Sequence, residues 1–249
     1  MTVSAVLFHV EGGITTITLN RAESRNALNT AMCDGILAST VEACADGTVR
    51  LVVIRAIGPV FCAGADLKER QGMDENAVRA RRLKAFAAYD AIERLPMPSI
   101  AVVAGAAIGS GCEIAAACDF IVATRSASFR TPEALWGTVG ATQRLPRIIG
   151  KRLAKDMMFT GCKLDAEDAR AAGLVSRIVA PEALATTLDE IAKVICDAPP
   201  EVMRLAKRSI DQGVELDPRG ALATELLVIE ENLSRAGWRS GIDAFGSKS

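Results

Sequence analysis

Three short segments combine residue types that could support chemistry: Phe61-Cys62-Ala63-Gly64-Ala65-Asp66-Leu67, Ile108-Gly109-Ser110-Gly111-Cys112-Glu113 and Thr131-Pro132-Glu133. In the first, small residues follow an apolar strand, so a ligand could approach the backbone. Gly64 permits a conformation that exposes an N–H. In the second, a flexible turn opens a helix whose first N–H groups lack intrahelical partners and whose dipole favours negative charge. Such an end can stabilise a developing oxyanion, and Glu113 falls within that first turn. In the third, Thr131 as N-cap, Pro132 as the first helical residue and Glu133 after it spell a helix start. Each segment alone also has a plain structural reading: a tight connection, a carboxylate complementing a dipole, an ordinary helix start. A serine-hydrolase triad is not expected. Ser110 lies in Gly-Ser-Gly and not in a nucleophile elbow, and His9, the only histidine, is far away on a predicted strand.

Composition bounds what these segments can belong to. A chain of 249 residues, 50% hydrophobic and 24% charged, can bury one large core. The formal charge of −1 leaves no basic field for nucleic acid or an anionic membrane, so an anionic ligand must be held locally. The 7 cysteines are scattered without a Cys-x-x-Cys pair, which fits reduced core thiols and a cytoplasmic location better than a disulfide framework. No metal site is expected with a single histidine. The amino terminus lacks the basic start and apolar run of a signal peptide. Ile100 to Ala123, the most apolar stretch, carries Glu113 and Asp119, so it reads as buried in a protein and not in a membrane.

The elements that must position the three segments follow from patterning. Val6–Val10 and Ile14–Asn20 read as a hairpin across Glu11-Gly12-Gly13. Asn29 caps a helix with Met32, Ile36 and Val41 near helical spacing, and Leu51–Ala56 is a strand broken at Gly58-Pro59. A polar helix spans about Glu75 to Leu95, closed by Pro96 and Pro98. Its Arg79, Arg81, Arg82 and Lys84 are expected on a solvated face and not at an RNA site, since no aromatic residues interleave. Ser99–Val103, Asp119–Thr124 and Ser128–Arg130 are strands, with a glycine-rich turn and a helix near Gly111–Cys118 between the first two. Asp165 and Asp168 suggest a capping box, and Gly173 a helix end before strand Leu174–Val179. Strand pairs alternating with helices make an α/β chain with much parallel pairing. After Pro181 only helical periodicity appears, at Leu184, Leu188, Ile191 and Ile195, then at Leu222, Leu226, Ile229 and Leu233.

Taken together, the segments resemble the enoyl-CoA hydratase/isomerase (crotonase) superfamily, from Val10 to about Phe245. The likeness rests on Asn20-Arg21…Arg25-Asn26-Ala27-Leu28-Asn29, on Phe61 through Arg70, on Gly109-Ser110-Gly111-Cys112-Glu113 and on Ala117-Cys118-Asp119. Thr142-Gln143-Arg144-Leu145-Pro146 and Ala172-Gly173-Leu174-Val175 extend it, in order and at matching separations. The resemblance implies a spiral of ββα repeats forming a core over residues 1–192, with a helical trimerisation region over 193–249. It implies an oxyanion hole from the backbone N–H groups of Ala63 and Ser110, the latter in place of the usual glycine or alanine. It places Glu113 and Glu133 opposite the thioester, as base and acid in the hydration of a 2-enoyl-CoA. The CoA portion is expected along Arg25, Ala27, Leu28, Ala65, Asp66 and Leu67. No separate cofactor is implied, since coenzyme A is part of the substrate, and the expected partner is a further copy of the chain in a trimer or dimer of trimers.

Two departures stand against that pattern. Ala134 to Thr142 is shorter than usual and lacks a proline, and its Trp136 is expected to reshape the acyl pocket. Only Gly-Ser-Lys-Ser follows Phe245, where relatives commonly carry a longer basic tail. Alternatives are Δ3,Δ2-enoyl-CoA isomerisation or another acyl-CoA reaction on the same scaffold, and a noncatalytic CoA- or RNA-binding protein.

Overall fold

The computed structural model describes residues 4–235 and 238–239. The amino-terminal Met-Thr-Val and the residues after Phe245 lie outside them. The hairpin forms as expected: β1 (Val6–Glu11) pairs antiparallel with β2 (Ile14–Leu19), which buries Thr15, Ile17 and Leu19 on alternate positions. Asn29 caps α1 (Thr30–Ala45) by accepting the Met32 N–H. Met32 and Ile36 reach the core, but Val41 points to solvent.

The next elements come in pairs of strands, one for each of two sheets. The pairs are β3 (Leu51–Ala56) with β4 (Val60–Cys62), β5 (Ser99–Val103) with β6 (Ala106–Ile108), and β7 (Phe120–Thr124) with β8 (Ser128–Arg130). Between them run α2 (Leu67–Arg70), α3 (Glu75–Glu93) and α4 (Ser110–Ala116). The chain continues through α5 (Arg144–Ile149), α6 (Lys151–Thr160), β9 (Leu164–Asp165), α7 (Ala166–Ala171) and β10 (Arg177–Val179). The larger sheet has the order β1-β2-β3-β5-β7-β10 and the smaller β4-β6-β8-β9. Apart from β1–β2 and β8–β9, every strand pairing is parallel. This is the expected α/β crotonase fold of ββα repeats, followed by a helical region.

The short strands β4 and β6 escape sequence reading because runs of three residues, alanine-rich in β6, are too short to show a strand period. Tertiary approach forms them: a Cβ on Gly105 would lie 2.0 Å from the Pro59 carbonyl oxygen, so only glycine lets the chain fold back there. Only Arg177–Val179 of the expected strand Leu174–Val179 joins the sheet, because Leu174 and Val175 instead donate to the Ala169 carbonyl behind the Gly173 turn.

Three helices close the described chain: α8 (Leu184–Asp197), α9 (Pro200–Gly213) and α10 (Pro218–Ser234). The expected division at 192/193 falls inside α8, whose Ile191, Ala192 and Ile195 pack on Leu51, Val53, Ile100 and Val122 of the large sheet. Contact with the core continues into α9, where Leu205 is buried and Lys207 pairs with Asp119 at 2.7 Å. Leu222, Leu226, Ile229 and Leu233 of α10 stay exposed. Among the described residues, no helix is long and apolar enough to cross a membrane.

Of the basic residues of α3, Arg79 is exposed as expected, but the others do not form one solvated face. Arg81 is buried, bonded to Glu69 and to the Leu28 carbonyl. Arg82 reaches the loop at Thr138 and Val139, and Lys84 pairs with Asp34 at 2.7 Å. Successive helical residues point about 100° apart, so the run is split among several partners.

Candidate active site

One cavity of about 150 Å³ collects the ends of β4, β6 and α4 with the inner face of α3 and the loop after Pro132. Glycines allow this convergence. Gly109 has φ +52° and passes the Glu133 carboxylate so closely that a Cβ would lie 2.6 Å from Oε1. A Cβ on Gly111 would lie 2.5 Å from the Cys62 carbonyl oxygen, so α4 can start directly against the end of β4.

The first turn of α4 presents the Ser110 N–H, which meets no acceptor among the described residues. The other expected donor needs correction. The Ala63 N–H is bonded to the Arg25 carbonyl at 3.0 Å and is not available to a ligand. The free donor is Ala65. Leu28 donates to the Gly64 carbonyl and accepts from the Asp66 N–H in a parallel bridge centred on Ala65. Strand geometry turns the Ala65 N–H to the opposite side, where it borders the cavity and meets no acceptor among the described residues. Nothing in the heptad Phe61–Leu67 itself says which alanine pairs. The signal resides in Leu28, far away in sequence.

Glu113 and Glu133 border this cavity together. Glu113 is buried on α4 and bound by Arg144, Nη1 to Oε2 at 2.8 Å. Arg144 is itself held by Glu93, Nε to Oε2 at 3.1 Å, and its guanidinium lies 5.9 Å from the centre of the Tyr89 ring. Burial pushes the Glu113 carboxyl up and Arg144 pulls it back, with a net upward shift. Glu133 sits in a 3₁₀ turn over Glu133–Trp136 and not in the expected α-helix, and Pro132 occupies the cap position meant for Thr131. The turn ends at Gly137, whose left-handed φ of 67° stops a helix there. Burial raises the Glu133 carboxyl, the Glu113 charge raises it further, and its Oε2 has no partner among the described residues.

The remaining expected contacts divide. Ala65 and Leu67 border the cavity. Arg25 is exposed and does not line the cavity; its side chain is unengaged among the described residues, and its backbone is left-handed at φ 54°. Asp66 is not free to read a base: its carboxylate caps α2 and pairs with Arg21 at 2.9 Å. Burial raises that carboxyl, but the Arg21 and Glu69 hydrogen bonds outweigh it and the net shift is down. Leu28 is fully buried, with its N–H and carbonyl both used, and the Ala27 carbonyl accepts from Arg21. These residues shape the segment through those bonds. Trp136 borders the cavity but is 73% exposed, so it stands at the rim without filling the acyl space. The functional neighbours missed in sequence are Tyr89, Arg82 and Arg144, all brought in by tertiary packing.

Comparison with known proteins bears on the family and the fold. The family model for enoyl-CoA hydratase/isomerase matches residues 9–249. The chain is 36% identical to the human enoyl-CoA hydratase domain-containing protein 2, mitochondrial, over 95% of this chain and 84% of that protein. The crystal structure of enoyl-CoA hydratase from Bacillus anthracis superposes with a TM-score of 0.94 at 33% identity, covering 98% of this chain and 96% of the other. That from Mycobacterium smegmatis gives a TM-score of 0.93 at 34% identity, again covering 98% and 96%.

Proposed function

This chain belongs to the enoyl-CoA hydratase/isomerase family, enzymes acting on acyl-CoA thioesters, and from that premise we propose that it hydrates a 2-enoyl-CoA to the 3-hydroxyacyl-CoA. The observation that carries the proposal is the meeting of Glu113, Glu133 and the free N–H groups of Ala65 and Ser110 in one cavity. The thioester oxygen accepts from the two N–H groups, which polarises the conjugated double bond. Negative charge grows on that oxygen as the enolate forms, so both hydrogen bonds strengthen in the transition state. Glu113 takes a proton from water as its oxygen bonds to C3, and Glu133 gives a proton to C2 as the enolate collapses. Two features support this division of roles. Arg144 favours the ionised form of Glu113, while burial without a bonded cation favours the protonated form of Glu133. The reverse reaction runs through the same groups. No separate cofactor is invoked.

One observation favours a second reading. If Arg144 holds Glu113 too firmly to serve as base, Glu133 alone could shuttle a proton between C4 and C2, which is Δ3,Δ2-enoyl-CoA isomerisation. The test is loss of enoyl-thioester absorbance on a panel of 2-enoyl-CoAs, with 3-enoyl-CoAs alongside and products identified by mass. Hydration products without double-bond migration are expected. Migration without added water would establish the isomerase instead, and binding of RNA with no thioester turnover would overturn both.

The exposed apolar face of α10 supports a homotrimer or a dimer of trimers, which light scattering would contradict by finding a monomer. The proposed location is cytoplasmic, supported by seven unpaired cysteines.

A further inference from the structure

The wall of the cavity farther along the chain from Ala65 carries more positive charge than the hydration chemistry requires. Arg70 ends α2, and both it and Arg82 border the cavity. The Nε of Arg70 is buried, and its side chain has no hydrogen-bond or ion-pair partner among the described residues. Arg82 spends its bonds on the Thr138 hydroxyl, at 3.0 Å, and on the Val139 carbonyl, neither of them charged. The nearby carboxylate of Glu69 is already committed, to Arg81 Nε at 2.9 Å and to the Thr30 N–H at 2.8 Å. Glu133 bonds to none of these guanidiniums among the described residues. A buried guanidinium nitrogen without an acceptor is costly, and folding alone gives no reason to retain it. Burial and the charges of Arg81 and Arg82 press Arg70 down from its usual range, and the opposing effects of Tyr89 and Glu69 are smaller.

We propose that this pocket selects short 2-enoyl-CoA substrates whose acyl chain ends in a carboxylate, with Arg70 as the partner of that carboxylate and Arg82 beside it. The inference rests on the reading that this cavity takes the acyl group. With the thioester oxygen at the Ala65 and Ser110 N–H groups, a space of about 150 Å³ leaves room for a few carbons and a planar carboxylate. A guanidinium can grip such a group through two parallel hydrogen bonds. A neutral chain would have to bury its methyl end against an unpaired cation, so the same residue that attracts one class repels the other.

Binding tests this without turnover. Calorimetry would compare glutaryl-CoA with pentanoyl-CoA, saturated thioesters of equal carbon number, on the parent, Arg70→Met and Arg70→Lys. The parent should bind glutaryl-CoA at least about 10-fold more tightly, since a hydrogen bond to a charged group contributes that much or more. Arg70→Met should bring the ratio close to one, and Arg70→Lys should retain part of it. The ratio in the parent needs no variant, so a misfolded substitution would not spare the proposal. No preference in the parent overturns it. So does an equal loss on both thioesters in Arg70→Met, which would assign Arg70 to a CoA phosphate. A failure of the hydration assay with the binding ratio intact would remove the reaction and leave the ligand class standing.

Discussion

The two glutamates share a cavity, yet the regions that hold them differ in kind. Glu113 rides on α4, which is wedged between β4 and β6 by glycine contacts, and its carboxylate is gripped by Arg144. Glu133 sits in a single 3₁₀ turn on the loop before α5, with one oxygen unpartnered among the described residues and the loop fastened to α3 through Arg82. One carboxylate is therefore fixed in place by a bonded cation, and the other is buried without one among the described residues. That asymmetry suits a base that must stay ionised and an acid that must exchange its proton, and it lets the two titrate apart although they are close enough to feel each other's charge.

The comparison can be broken most directly by removing each acid in turn. Glu113→Gln and Glu133→Gln should each lower kcat by about 10²–10⁴-fold in the absorbance assay, the usual worth of a positioned acid or base. If only Glu133→Gln does so, Glu113 is structural and the single-acid isomerase reading gains. A smaller but sharper effect is expected at Arg144. In Arg144→Met the Glu113 carboxyl loses the cation that lowers it, so the acidic limb of kcat/KM should move to higher pH. Stability should drop by about 2 kcal/mol, below the cost for a fully buried pair because Arg144 is partly solvated. An unmoved pH profile would separate Arg144 from the base. The smallest effect concerns Glu133 alone. Its carboxyl is raised in the folded protein, so the native state holds the proton more strongly and stability falls as pH rises through the folded pKa. Glu133→Gln avoids that cost. Its Tm should exceed the parent's by about 2 °C or more at pH 8, and the difference should vanish below the ordinary carboxylate range. A lower Tm at pH 8 would mean that the carboxylate has a stabilising partner.

Much of this was legible in the chain. The hairpin, α1 with its Asn29 cap, the strands of the large sheet and Glu113 in the first turn of α4 all follow from period, caps and breakers acting over a few residues. The short strands β4 and β6 were not legible, because their pairing depends on glycine-permitted approach across forty residues and not on their own composition. The donor assignment failed for a related reason. Ala63 and Ala65 are chemically equivalent in sequence, and only the bridge to Leu28 decides which N–H is consumed. The basic run on α3 looked solvated because a sequence shows charge without showing the carboxylates and carbonyls that meet it.

The sequence by itself determined the fold family, the two acids and the small residues that let backbone approach ligand, since residue type and local spacing are written there. Tertiary structure alone decided which N–H groups stay free, which glutamate has a bonded cation and which arginine side chain has no bonded partner among the described residues. Hydrogen bonds and ion pairs are satisfied between residues distant along the chain, so what remains unsatisfied, and therefore available to a substrate, appears only after folding has paired the rest.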